Sequence, residues 1–352
     1  MLSKKSPVIA VDIGTNSVKI VHLQAGKRGY ELLSFGTMPL SPGVIEDGAI
    51  VDPDVVIQAI KDLMKLEKIG VNNAVTAVSG TSVIIKKIRV PPMSEEELVD
   101  AIQFEAGQYI PFDIEDVHLD FVVVDTPYTP KGTDQMEVLL VAVTKERMNE
   151  LVTILSRAGL NVAVVDVDVF AIENAFELNY TIPYNEIIIL MDMGAGVTNI
   201  NILENGYSAF TRDVYFGGMK YNEAIMRQLD VDYETSEKLK LGNEANGHSP
   251  SEIYDIINSV TSDLSMEIRR ALEAFRGSAE IPISKIMLGG GCARMMGLDQ
   301  VLAEHLETPV EIFNPFQKIY FNPKVFDPEY IEYIAPFAAV SVGLAMRRFG
   351  DR

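Results

Sequence analysis

Apolar residues run unbroken from Val8 to Val11, stop at Asp12 and a Gly-Thr-Asn-Ser turn, and resume in alternation from Val18 to Leu23. That pattern predicts two strands around the Gly14–Ser17 turn. Lys27-Arg28-Gly29 turns the chain into a third strand, Tyr30–Phe35, and completes a meander. Asp54–Leu66 carries Val56, Ile60 and Leu63 at helical spacing, and Ala74–Val78 is a predicted strand.

A separate unit is predicted to begin near Thr81. Ser94-Glu95-Glu96-Glu97 is a capping box. It opens a helix expected to show Leu98, Ile102, Ala106 and Tyr109 on one face and to end at Pro111. His118–Val124 and Met136–Val143 are predicted strands joined by a Pro/Gly/Thr loop. Met148, Leu151, Val152 and Leu155 form a helical stripe stopped by Gly159. The order strand–helix–strand–strand–helix predicts a small α+β module.

Val162–Val167 is a predicted strand and Phe170–Phe176 a helix. Ile187–Met191 then runs into Asp192-Met193-Gly194-Ala195-Gly196-Val197-Thr198, so the opening pattern returns half a chain later. Asn205-Gly206 is a strong hairpin signal and continues a second meander. Two such meanders predict two related lobes facing a cleft. Ser249 and Pro250 open a long helix carrying Ile253, Ile257, Val260, Leu264, Ile268, Leu272 and Phe275. Lys285–Leu288 is a strand leading through Gly289-Gly290-Gly291 into a helix bearing Leu298, Val301 and Leu302. Tyr333–Arg348 is a predicted helix rich in small residues, which permit a close helix crossing at a lobe junction.

Composition narrows the chemistry. A net charge of −20 argues against nucleic acid, which needs a basic face. No apolar run approaches the roughly 20 residues that span a bilayer, and the opening MLSKKSPVIAVD is too short in its apolar part for a signal peptide. The single cysteine, Cys292, excludes an internal disulfide and fits a reducing compartment. Four scattered histidines without CxxC or HxxxH spacing make a zinc site a poor fit.

The two acidic glycine turns suit a metal-bound phosphate. Gly14 lets a phosphate approach the backbone, turn amides donate to it, and Thr15, Asn16 and Ser17 add neutral donors. Asp12 would hold Mg²⁺ through water, and Lys19 can meet a phosphate oxygen. Asp192, with Gly194, Gly196 and Thr198, would grip the same phosphates from the other wall. A surface β-hairpin is the plainer meaning of either turn alone; the repetition favours the clamp. Gly289-Gly290-Gly291 is not a dinucleotide fingerprint, because Arg294 stands where glycine is required. It is either a structural turn or a place where adenine lies on bare backbone. Gly217 and Gly218 precede a helix starting near Met219, and their amides can face phosphate or ribose. Glu237 and Lys240 share a helix face, either bracketing a nucleoside or forming a surface ion pair. Asp166 and Asp168 follow an apolar strand, where either carboxylate could position a water for attack on a γ-phosphate or serve as base in a kinase. Asp168 is either positioned to aim a water at a γ-phosphate or is the N-cap of the next helix.

Taken together, "VDIGTNSVK", "MDMGAGVTN" and "LGGGCARMMGL", in that order, resemble the first phosphate, second phosphate and adenosine loops of the actin, Hsp70 and sugar kinase superfamily. The early position of the insert is similar to that in the division protein FtsA. "FEAGQYIPF" (Phe104–Phe112), "SVKIV" and the short C-terminus, without the FtsA amphipathic membrane helix, look most like the PilM family of type IV pilus machinery. Two positions depart from the superfamily pattern: Cys292 stands where relatives often have Gly or Ser, and Val169 follows Asp168 where they often show Glu-Pro.

The resemblance implies an α/β, two-lobed actin/Hsp70-like ATPase fold with an FtsA-type inserted α+β subdomain. Lobe I would comprise residues 1–81, 162–184 and 335–352, the insert 82–161, and lobe II 185–334 with 226–284 as its outer part. It implies ATP with Mg²⁺ between the lobes and weak or no hydrolysis. Phosphate roles fall to Asp12, Gly14, Thr15, Asn16, Ser17, Lys19, Asp192, Gly194, Gly196 and Thr198, with Mg²⁺ held through water by Asp12 and Asp192. Nucleoside roles fall to Gly217, Gly218, Glu237, Lys240, Gly290, Gly291 and Cys292, and the hydrolytic role to Asp168. The implied partner is the N-terminal cytoplasmic peptide of PilN, in a groove beside the insert to which Tyr109, Ile110, Pro111 and Phe112 contribute. Pilus assembly ATPases and platform proteins are further partners. The implied place is the cytoplasm, peripheral to the inner membrane through PilN, with no insertion of its own. A small-molecule kinase of the same superfamily and an actin-like filament former are the rivals.

Overall fold

The computed structural model describes residues 6–46, 48–124, 135–181, 185–276 and 282–351. The opening lysines, the Pro/Gly/Thr loop before Met136 and the expected lobe boundary at residue 184 lie outside them. The chain divides into two compact units, residues 78–154 and the remainder.

The larger unit opens with β1 (Ile9–Ile13), β2 (Ser17–Gly26) and β3 (Gly29–Pro39), an antiparallel meander. A short ribbon, β4 (Ile45–Glu46) and β5 (Ala49–Ile50), precedes α1 (Pro53–Leu66). Asp52 caps α1 by accepting from Val55 N at 3.2 Å, and Pro53 sits where no N–H is needed. Val56, Ile60 and Leu63 are fully buried where α1 packs on β2 and β3. β6 (Asn73–Val78) then pairs parallel to β1.

In the smaller unit, β7 (Val83–Val90), α2 (Glu95–Ala106), β8 (Val117–Val123), β9 (Met136–Thr144) and most of α3 (Lys145–Arg157) follow one another. The sheet is antiparallel in the order β7-β9-β8. Ser94 and Glu97 form the capping box: Ser94 N donates to Glu97 at 2.8 Å, and Glu97 N donates to the Ser94 hydroxyl. Leu98, Ile102 and Ala106 pack on Ile88, Val90, Val138 and Leu140. The helix ends at Ala106, with Gly107 as its C-cap, well before Pro111. The next core residue is therefore Ile110, not Tyr109, which is exposed. On α3 the core positions are Leu151, Ile154 and Leu155, and Val152 faces solvent.

The larger unit resumes with β10 (Asn161–Val167), α4 (Asp168–Asn179), β11 (Ile187–Met193), β12 (Thr198–Glu204) and β13 (Tyr207–Val214). α5 (Gly218–Leu229), α6 (Tyr233–Lys240) and α7 (Tyr254–Arg276) follow. Then come β14 (Ile283–Gly289), α8 (Leu298–Leu306), β15 (Val310–Ile312), β16 (Tyr320–Phe321), α9 (Pro328–Ile334) and α10 (Ala339–Ala345). One sheet is ordered β10-β6-β1-β2-β3-β16 and the other β13-β12-β11-β14-β15. Each is an antiparallel meander whose first strand has a parallel neighbour, β6 in one and β14 in the other.

Between the sheets, α4 and α10 bury Ala171, Ile172, Val342 and Leu344 with Ala10, Val75, Leu190 and Met287. The two helices cross so closely that a Cβ on Gly343 would lie 1.7 Å from Ala171 O. The small-residue stretch therefore does form the junction of the two sheets. It is not one helix: α9, a 3-10 turn over Ala335–Ala338 and α10 replace it, because Pro336 has no N–H to continue a helix. Among the described residues no helix is long and apolar enough to cross a membrane.

Candidate functional site

Register sets the site. On β1 and β2, Asp12 stands opposite Lys19, and the turn closes with Gly14 N donating to Ser17 O at 3.1 Å. On β11 and β12, Asp192 stands opposite Asn199, and Gly194 N donates to Val197 O at 2.9 Å. Both turns therefore span four residues and begin two residues after an aspartate at a strand's C-terminal end.

The turns meet. A Cβ on Gly196 would come 3.2 Å from the Thr15 hydroxyl. Lys19 Nζ binds Asp12 Oδ2 at 3.0 Å with both side chains largely buried. Burial opposes the charge on Lys19, but Asp12, Asp192 and Asp168 outweigh it and the ammonium's pKa rises above its ordinary value. Asp192 behaves oppositely: burial pushes its carboxyl up to about 6, Lys19 acts against the rise and Asp12 adds to it. One ammonium thus faces carboxylates from both sheets and from the start of α4.

The remaining expected residues form the wall on the second half. Gly217 and Gly218 open α5 beside the second turn, with Gly218 N donating to Gly194 O at 2.9 Å and Met219 N to Ala195 O at 2.8 Å. Lys240 is buried, donates to Asn222 Oδ1 at 2.6 Å and to Gly218 O at 3.4 Å, and pairs with Glu237. That burial removes the surface-ion-pair alternative. Gly290 has φ +86°, and a Cβ there would lie 2.4 Å from Met193 O, so only glycine lets this loop run against β11. Gly291 has open space beside it and begins a 3-10 turn, Gly291–Arg294, and the expected helix follows as α8 from Leu298. The Cys292 thiol donates to Gly194 O at 3.2 Å, and burial pushes it up to about 11. It is a neutral packing group that ties the loop to the second turn.

Four expectations need correction. Thr198 is fully buried and its hydroxyl donates to Phe216 O at 2.6 Å, so it anchors the approach to Gly217 and does not face the cleft. Asp168 is not an N-cap: Val167 holds that position with no side-chain bond, and Asp168 is the first residue of α4. Asp166 is buried against Arg347, 3.3 Å from Nε, so the ion pair occupies it. Ile110 is buried in the smaller unit's own core and Phe112 packs against that core, which leaves Tyr109 and Pro111 outside. Phe104, inside the same sequence stretch, is 79% exposed.

Residues that the sequence did not single out also belong here. Tyr233, at the start of α6, donates to Asn16 Oδ1 at 3.0 Å, and Asn222 orients Lys240. The only local hint of Tyr233 was its place one helical turn before Glu237.

The donor set fits magnesium on the chemistry of its oxygens. Carboxylates approach from two sides, yet among the described residues no three acidic, His or Cys side chains converge to hold an ion by themselves. Such a site would leave most positions to water and phosphate, as Mg²⁺ prefers.

The family described as type IV pilus assembly protein PilM matches residues 10–349. A solved PilM-PilN type IV pilus biogenesis complex has a chain 30% identical, with TM-score 0.85, covering 97% of this chain and 98% of that one. Cell division protein FtsA of Bacillus subtilis is 22% identical over 97% of this chain and 86% of its own length. MreB5 of Spiroplasma citri, solved bound to AMPPNP, shares the fold with TM-score 0.54 at 14% identity, covering 96% of this chain and 94% of its own.

Proposed function

Since the chain belongs to the PilM family of type IV pilus assembly proteins, we propose that it is a nucleotide-binding adaptor of the pilus assembly platform, holding Mg-ATP between its two sheets and docking the N-terminal cytoplasmic peptide of PilN. The observation that carries the nucleotide half is two glycine turns, each two residues after an aspartate, that touch at Gly196 and Thr15 with the buried Lys19–Asp12 pair at 3.0 Å beside them. Asp12 and Asp192 would hold Mg²⁺ through water. Amides and hydroxyls of Gly14–Ser17, with Gly194, Gly196 and Lys19, would take the phosphates. Gly217, Gly218, Glu237, Lys240, Gly290 and Gly291 would line the nucleoside, with Cys292 packing behind them against Gly194. When bound, Mg²⁺ would neutralise phosphate charge.

Weak or absent turnover is expected. Asp168, the first residue of α4, would take what hydrolytic role there is, since Asp166 is paired with Arg347. The partner half rests on the relative solved as a PilM-PilN complex. Exposed Phe104 and Tyr109 on residues 78–154 are the apolar side chains we assign to the peptide. The protein would work at the cytoplasmic face of the inner membrane through PilN, and pilus assembly ATPases and platform proteins would be further partners. The lobes would follow the two sheets as predicted from sequence, except that Tyr320–Phe321, assigned to lobe II, pairs with β3 of lobe I, and the inserted unit covers residues 78–154 in place of 82–161.

The test is equilibrium titration with a fluorescent ATP analogue. Wild type binds with Mg²⁺ and loses affinity in EDTA, and Asp12→Ala and Asp192→Ala each lower affinity at least tenfold while remaining folded. Retained affinity in both variants refutes the nucleotide site.

A further inference from the structure

Tyr233 belongs to neither phosphate turn, yet its hydroxyl reaches from α6 on the second half to Asn16, at the tip of the first turn, 217 positions away in sequence. Asp232 fixes its place by capping α6, accepting from Thr235 N at 2.8 Å. Glu237 lies beside the same hydroxyl and pairs with buried Lys240, which is held by Asn222. A continuous polar chain therefore runs from Asn16 through Tyr233, Glu237 and Lys240 to the start of α5. Burial and Glu237 push the Tyr233 phenol up to about 12, so it stays a donor at neutral pH.

We propose that Tyr233 is a strap across the mouth of the cleft: by donating to Asn16 it holds the two halves closed and sets how fast nucleotide leaves. This rests on the nucleotide reading above for its ligand, but the strap itself joins residues of the protein alone. A single neutral hydrogen bond of this kind shifts a closed–open equilibrium by about two- to tenfold. Tyr233→Phe deletes the hydroxyl and keeps the ring.

Two readouts on the full chain test it. Stopped-flow release of an N-methylanthraniloyl-ATP·Mg probe is expected to be about two- to tenfold faster in Tyr233→Phe. The same substitution in an Asn16→Ala background should add nothing. Release within a factor of about 1.5 of wild type, or full additivity in the double variant, overturns the strap. In the nucleotide-free protein, amide exchange across Ile13–Lys19 should quicken in Tyr233→Phe, and unchanged exchange also overturns it. If wild type fails to bind the probe at all, the nucleotide reading falls and the exchange result alone decides the strap.

Discussion

In the β1–β2 hairpin Asp12 stands across from Lys19; in the β11–β12 hairpin the corresponding Asp192 stands across from Asn199. The backbones follow one plan, with the same four-residue turn. The side chains divide the labour. Lys19 binds Asp12 directly and faces Asp192 as well. Asn199 turns to Asp213, donating to Oδ1 at 2.7 Å. The first hairpin therefore supplies the cation for both, and the second contributes a carboxylate whose ionisation is penalised by burial. A symmetric pair would give two separately balanced ion pairs. The asymmetric pair gives a site whose halves need each other, or an incoming metal, for charge balance.

Exchanging the two hairpins' partners breaks the comparison most sharply. Lys19→Met strands Asp12 and Asp192 without a cation, and the expected cost is about 3 kcal/mol at pH 7 in urea unfolding. The matched Asn199→Ala removes one hydrogen bond to Asp213, so its cost is about 1 kcal/mol, with nucleotide affinity little changed. Equal losses from the two substitutions would erase the asymmetry.

A smaller effect is carried by pH. Asp192 has a folded pKa of about 6 against an ordinary 3.8, so between those values the folded protein holds the proton more tightly than the unfolded chain. Its contribution to stability is full below pH 4 and is lost as pH rises through 6. Asp192→Asn is expected to raise ligand-free stability at pH 7 by about 1–2 kcal/mol and to flatten the pH profile between 4 and 6. Unchanged profiles would show that Asp192 is already solvated or paired.

Local chemistry made both hairpins legible in the sequence, since an aspartate, a glycine turn and flanking apolar strands lie within ten residues. The Ser94–Glu97 start was legible for the same reason and closes as a capping box; Ser249 and Pro250 instead open a 3-10 turn, Pro250–Ile253, and the long helix begins after it at Tyr254. What escaped depends on phase or on distance. Extending the helix to Pro111 carried its periodicity past Gly107, and so placed Tyr109 in the core and Ile110 outside, the reverse of what packing chose. The apolar stripe at 333–348 concealed Pro336, which splits it. Thr198 reads as a phosphate ligand by its position in the repeat, yet a strand hydroxyl facing inward goes to Phe216. Tyr233 and Asn16 meet only because the two halves close, which no local pattern encodes.

On the proposed reading one metal-chelated triphosphate is gripped from both hairpins at once. The most direct measurement is a crystal structure with a non-hydrolysable ATP analogue and Mn²⁺, read in the anomalous map. The account predicts a single manganese peak between the halves, reached through water by Asp12 and Asp192, with Lys19 moved from Asp12 to a phosphate oxygen. A manganese bound on one hairpin alone, or nucleotide bound with the Lys19–Asp12 pair intact and Asp192 uninvolved, would contradict it.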